Sequence, residues 1–172
     1  MGKPKKPAPA LLFTGLLFTD YDMLEKVRSA LAASFGDIAM ESPTFLWNFS
    51  DYYREEMGQR IFRRFIFFRN LIGQDALADI KLRTNDIEET FAREGKRAVN
   101  IDPGYLTRAK IVLASTKDYS HRIYLRDGIF AEVTLMYSKG KFVPLVNTYR
   151  DYRDERYIRV FASARILLNL IR

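Results

Sequence analysis

Two apolar periodicities alternate along this 172-residue chain. Leu11 to Phe18 is a continuous apolar run, the pattern of a strand buried on both faces. Leu24, Val27, Leu31 and Phe35 then recur at helical spacing, with Asp20 or Asp22 placed to cap the start and Gly36 to end it. Phe45, Trp47 and Phe49 alternate with Leu46 and Asn48, which predicts a strand. The polar connection SDYYREEMGQR leads to a second aromatic strand, RRFIFFR. From Gln74 to Glu94 the spacing is helical and predicts two pieces, the second capped by Thr84 or Asn85 with Glu88 in capping-box position. Val99 and Ile101 predict a short strand, and Asp102-Pro103-Gly104 a turn. Leu106, Ala109, Leu113 and Thr116 fall on one face of a further helix.

The next segment predicts a hairpin around Arg126-Asp127-Gly128. A three-residue turn with Gly128 left-handed pairs Arg122 with Glu132, Ile123 with Ala131, Tyr124 with Phe130 and His121 with Val133. That register collects Ile129, Ala131, Val133, Leu135 and Tyr137 on one face and segregates polar from apolar positions. Phe142 to Val146 predicts a third strand, at an edge because of Pro144. The final helix carries Tyr157, Phe161, Ala164, Leu168 and Ile171 in a packing stripe. The fold class that follows is α+β, one largely antiparallel sheet packed by helices. The order suits two β-α-β-β-α halves, ferredoxin-like in part. Residues 1–10 predict a flexible basic tail, and residues 11–172 a single domain.

Composition narrows the chemistry. Apolar residues make up 48% and aromatics 14%, a globular balance. With no cysteine and one histidine, His121, disulfides, thiolate chemistry and histidine-rich metal sites are excluded. The net charge is +7; Lys3, Lys5 and Lys6 supply three of it, leaving +4 for the body. That excess is too mild for a dedicated nucleic-acid binder. The run Leu11 to Phe18 is too short to span a bilayer and meets Asp20 and Asp22 at once, so no membrane or secretory signal is read and a cytoplasmic bacterial-type protein is expected.

The segment VNIDPGYLTRAKIVLASTKDYSHRIYLRDGIFAEVTLMYSKGKF, followed by TYRDYRDERYI, resembles an uncharacterised bacterial family, domain-of-unknown-function family 4416. LLFTGLLFTD and DIKLRTNDIEETF are similar to it as well, so the resemblance spans nearly the whole chain after the tail. Members often carry an automatic GTP-binding label, and the resemblance implies no activity. The residues speak against a P-loop GTPase, because no GxxxxGK[ST] run is present. No other catalytic or cofactor motif is complete.

Chemistry-bearing residues concentrate between Asn100 and Tyr137. Lys110, Lys117, His121 and Arg122, with Asp118 and Glu132 as counter-charges, could clamp an anion, Arg122 giving a two-pronged grip. The same residues could instead form an internal ion-pair network, Arg122 with Glu132 and Lys117 with Asp118. Asp102, Asp118 and Glu132 could hold a hard cation through oxygen, but they are scattered, and no metal site is assigned. The best reading is a protein that binds an anionic small molecule, a nucleotide among the candidates, with reaction and cofactor unassigned. The alternatives are a nucleic-acid accessory protein using the lysine tail, Arg63, Arg64 and Arg69, and an interaction module acting through the terminal helix.

Overall fold

The computed structural model describes residues 2–51 and 53–171. The elements run β1 (Ala10–Phe18), α1 (Tyr21–Phe35), β2 (Ile38–Glu41), β3 (Phe45–Trp47), a one-turn α2 (Arg54–Met57), β4 (Ile61–Ile72), α3 (Leu77–Thr90), β5 (Val99–Leu106), β6 (Lys110–Ser115), β7 (Ile123–Arg126), β8 (Ile129–Ser138), β9 (Lys141–Pro144) and α4 (Glu155–Leu170). The strands form one sheet in the order β2-β4-β1-β5-β6-β8-β7, with β3 added to β4 and β9 to β8. Every pairing among them is antiparallel. The fold is α+β.

The apolar run at the start of the chain is the central strand, and all nine residues of β1 are buried. Its alternate side chains enter two cores. Leu11 and Phe13 join Phe65, Phe67 and the α4 residues Tyr157, Phe161, Ala164 and Leu168. Leu12, Leu16 and Phe18 join the α1 residues Leu24, Val27 and Leu31 and the α3 residues Ile80 and Ile87. One face of the sheet is thus covered by α4, the other by α1 and α3. Asp20 caps α1 by accepting the Met23 N–H at 2.7 Å, and Gly36 ends it with a left-handed φ of 93°.

Four expectations need correction. The helix expected over Leu106 to Thr116 is a hairpin: Thr107 Oγ1 accepts the Ala109 and Lys110 N–H groups and turns β5 into β6. The β-branched pair Ile111-Val112 outweighs the helical spacing around it. With that helix replaced by a strand, and with β2 added, the two matched halves disappear. Asp102-Pro103-Gly104 is not a turn but the middle of β5. The helix over 74–94 is one continuous α3 after a short 3-10 turn, with Thr84 buried inside it, its hydroxyl donating to Lys81 O.

The fourth concerns the β7–β8 hairpin. The expected pairs Ile123↔Ala131 and Tyr124↔Phe130 form. The turn has two residues, however, with Asp127 and Gly128 both at positive φ, and a bulge at Leu125 absorbs the difference. His121 lies before β7 and does not pair with Val133. A second bulge, between the β6 pairs Ile111↔Leu135 and Val112↔Val133, divides the expected apolar row. Ile129 packs in the α3-side cluster with Leu77 and Val112, whereas Leu135 packs on the α4 side.

The tail boundary also shifts. Ala10 pairs with Ile72 and is fully buried, and Gln74 Nε2 donates to Ala8 O at 3.0 Å.

Candidate functional site

β5 and β6 run side by side only where Gly104 to Leu106 face Leu113 to Ile111. Before Gly104 the two strands diverge. A Cβ on Gly104 would lie 2.5 Å from Val112 O and 2.7 Å from the Phe13 ring, so only glycine permits the close approach at the fork. Pro103 follows from the same geometry. Alternation along β5 points its nitrogen away from β1 and toward the fork, where an N–H would have no ladder partner.

α3 satisfies the main chain that β6 abandons. Lys81 Nζ donates to Ile101 O at 2.9 Å, and Ile101 N–H donates to Glu88 Oε1 at 2.6 Å. A cleft of about 680 Å³ opens in the fork. It is lined by Asn100 and Asp102 of β5, Leu113 to Ser115 of β6, Lys81 and Glu88 of α3, Trp47, Arg63, Tyr149, Asp151 and Tyr152. This volume suits a small-molecule site.

Its floor on the α4 side is Arg63, only 3% exposed. Nη2 donates to Asp151 Oδ2 at 2.7 Å, and Nη1 lies 3.4 Å from Asp102 Oδ2. Trp47 Nε1 also donates to Asp151, at 3.2 Å. Burial opposes the Arg63 charge, but Asp151, Tyr152 and Asp102 outweigh it and raise its pKa. Gly15 makes room for this group, since a Cβ there would sit 2.8 Å from Arg63 Nη1 and 3.1 Å from Tyr152 Oη. Burial also pushes the Tyr152 phenol well above its ordinary range.

On the α3 side Glu88 is the titrating group. Burial raises its pKa against the pull of Lys81, the Ile101 N–H and Arg97. Its Oε2 lies 3.7 Å from Arg97 Nε, beyond hydrogen-bond range. Arg97 Nη1 instead donates to Asn100 Oδ1 at 2.8 Å.

The opposite wall carries the cluster expected from sequence, and Lys117, Arg122 and Glu132 line the cleft there. Arg122 Nε donates to Glu132 Oε2 at 2.8 Å. Nη1 donates to Ser115 Oγ at 2.7 Å and to Lys117 O at 2.8 Å, and Nη2 to Tyr149 Oη. The guanidinium stacks 4.6 Å from the Tyr119 ring centre. Arg122 is therefore an internal strut, and its ion pair with Glu132 is the one the internal-network alternative expects. His121 Nε2 sits 3.1 Å from Glu132 Oε2 but does not line the cleft. Asp118 is exposed and outside the lining, and Lys110 stands at the far end of β6 beside Met136. Asp102, Asp118 and Glu132 do not gather: among the described residues no three His, Asp or Glu side chains could hold a metal ion.

The sequence pattern missed Arg63, Lys81, Glu88, Asp151 and Tyr152 as cleft residues. Asn100 and Asp102 fall inside the polar stretch but outside the anion clamp it predicts. Arg63 cannot serve the nucleic-acid alternative, because it is buried and paired. Arg64, beside it, is turned to Glu41 and Ser42 O. The apolar stripe of α4, Tyr157, Phe161, Ala164 and Leu168, packs on the sheet. No helix among the described residues is long and apolar enough to cross a membrane.

Residues 8–167 match the model of a family described as a domain of unknown function, DUF4416, and the chain belongs to that family. No curated protein and no solved structure matches the chain.

Proposed function

We propose that the cleft at the β5–β6 fork binds a small anionic molecule, with a nucleotide as the first candidate. One observation carries this reading. Arg63 Nε, Asn100 Nδ2 and Tyr152 Oη are buried without a hydrogen-bond partner among the described residues, and all three residues line the cleft. Each atom can donate a hydrogen bond. A buried donor left unpaired costs about 1–3 kcal/mol, so three on residues of one cleft favour an acceptor-rich occupant that reaches them as the wall adjusts. Lys81 adds a cation 7% exposed that makes a hydrogen bond to Ile101 O. Trp47, Tyr53 and Tyr119 also line the cleft and offer aromatic surface to a base.

The cleft is not a net-positive trap. Arg63, Lys81, Arg97, Lys117 and Arg122 face Glu56, Glu88, Glu89, Asp102, Glu132 and Asp151 across it. Selection therefore rests on placed donors rather than on a long-range field. That balance favours a compact ligand over a polyanion such as nucleic acid.

A thermal-shift screen of nucleotides, inorganic phosphate and sulfate tests the reading. A ligand at 100 times its Kd should add about 2.7 kcal/mol to the folded state. The same ligand should lose most of its effect on Lys81→Met. Absence of stabilisation by every anion, or an unchanged response in folded Lys81→Met, refutes it.

A further inference from the structure

The carboxyl of Glu88 lines the same cleft as the unpaired donors, and an ionised carboxylate there would repel the anion those donors await. The geometry offers a way out. Oε1 is fixed on the Ile101 N–H at 2.6 Å, while Oε2 is 3.7 Å from Arg97 Nε, its nearest cationic partner there. One oxygen is held as an acceptor, and the other is available to carry a hydrogen.

We infer that Glu88 donates a hydrogen bond to the bound anion: protonated on Oε2, it offers a hydrogen that a ligand oxygen accepts, so the cleft takes up an oxyanion together with one proton from solvent, which stays on Glu88. This rests on the reading of the cleft as an anion site and adds its ligand class, an oxyanion such as phosphate or a phosphate ester. The charged groups around Glu88 are few and identifiable. Lys81 and Glu89 stand on its own helix, Asp102 on β5, Arg97 before β5, and Glu56 on α2 beside Arg97. Across the cleft stand Lys117 after β6, Arg122 before β7 and Glu132 on β8. Arg122 and Glu132 compensate each other at 2.8 Å, and Arg63 compensates Asp151 at 2.7 Å. Glu88 is the carboxyl on the α3 side whose charged form burial disfavours. Its neutral form removes the repulsion and supplies a hydrogen-bond donor from the α3 side of the cleft, whose other side carries Arg63 and Tyr152.

The test is the pH dependence of sulfate binding, because sulfate keeps its charge throughout the range in which a raised carboxyl titrates. Calorimetric titrations at fixed ionic strength would compare wild type, Glu88→Gln and Lys81→Met between about pH 5 and pH 8. In the wild type the Kd should weaken above the Glu88 pKa by up to about tenfold per pH unit, the limit for one coupled proton. Glu88→Gln, neutral at every pH, should bind at high pH as the wild type does at low pH, with a flat profile. Lys81→Met should lose sulfate at all pH values, which separates the cleft from general salt effects. Equal slopes in wild type and Glu88→Gln, or weaker binding by Glu88→Gln throughout, overturn the inference and leave the cleft an anion site. Failure of sulfate, phosphate and AMP alike to bind overturns the reading of the cleft, and the inference with it.

Discussion

Replacing Glu132 by glutamine would remove the counter-charge of a guanidinium that water scarcely reaches. The side chains of Arg122 and Glu132 are 1% and 2% exposed. An exposed ion pair is worth about 0–1 kcal/mol, but stripping one partner from a buried pair costs about 3–5 kcal/mol, because a charge is left desolvated. Glutamine keeps the shape and one oxygen for Arg122 Nε, so the lower end applies, about 3 kcal/mol. The three other hydrogen bonds of Arg122, to Ser115, Lys117 O and Tyr149, remain. For a chain of this size that loss lowers Tm by roughly 10 °C. Urea unfolding at neutral pH measures it directly, with an unchanged m-value showing that only stability moved. Two controls sharpen the test. Asp79→Asn breaks the exposed Arg126–Asp79 pair and should leave stability nearly unchanged. Arg122→Leu combined with Glu132→Leu removes both charges and should recover much of the loss. A cost below about 1 kcal/mol for Glu132→Gln would refute the reasoning, since it would mean that water screens the pair as it does at a surface.

Four further outcomes follow from the same structure. Phe161→Ala should cost about 3–5 kcal/mol, because the ring is fully buried and packs edge-on against Phe13 and Phe65, each at 5.1 Å; a near-neutral urea midpoint would contradict its core position. Gly15→Ala should cost about 1–3 kcal/mol by pressing a methyl on Arg63 and Tyr152, and should weaken any ligand of the cleft; unchanged stability would show that Arg63 yields freely. Glu88 has a raised folded pKa, so its stabilising contribution is complete below the unfolded pKa and is lost as pH rises through the folded one. Glu88→Gln should therefore gain on the wild type in stability as pH rises from 4 to 8, and parallel profiles in denaturation experiments would sink that assignment. Deleting residues 1–7 should leave Tm unchanged, whereas deleting residues 1–10 should lower it, because Ala8 and Ala10 are tied to Gln74 and Ile72; equal Tm values would return the boundary to residue 10.

The parts of the fold that were legible are those where one periodicity dominates. β1, α1 and α4 follow directly from a two-sided apolar run and two helical stripes. Capping by Asp20 and termination at Gly36 were equally readable, because those side-chain and backbone preferences act locally. Residues 106–117 were misread because Leu106, Ala109, Leu113 and Thr116 fit a helix by chance of spacing. The turn that breaks them, Thr107-Arg108-Ala109, contains no glycine or proline to announce it. Bulges were invisible for a similar reason. The extra residue in β8 changes which face Leu135 occupies, and that depends on the partner strand. For the candidate cleft, local sequence density picks out three lining residues, Lys117, Arg122 and Glu132. It could not find Arg63 or Asp151, which are 88 residues apart and meet only through the sheet and the loop before α4.

The position of the cleft follows from one choice of strand pairing. β1 is paired on both sides along its length, so its polar main chain is spent and its side chains build core. β5 is paired with β1 throughout, but its other edge meets β6 over only three residues. The remainder of that edge must find partners elsewhere. A third strand there would close the sheet and leave no cavity. The chain instead reaches over with Lys81 and Glu88 from α3, two ionisable side chains doing work that a neighbouring strand would do without charge. Burying such groups costs free energy, and a merely structural solution would use an amide or a hydroxyl. On the proposed reading of the cleft, the pair Lys81 and Glu88 serves a ligand as well as the fold, and that is why the edge carries ionisable groups.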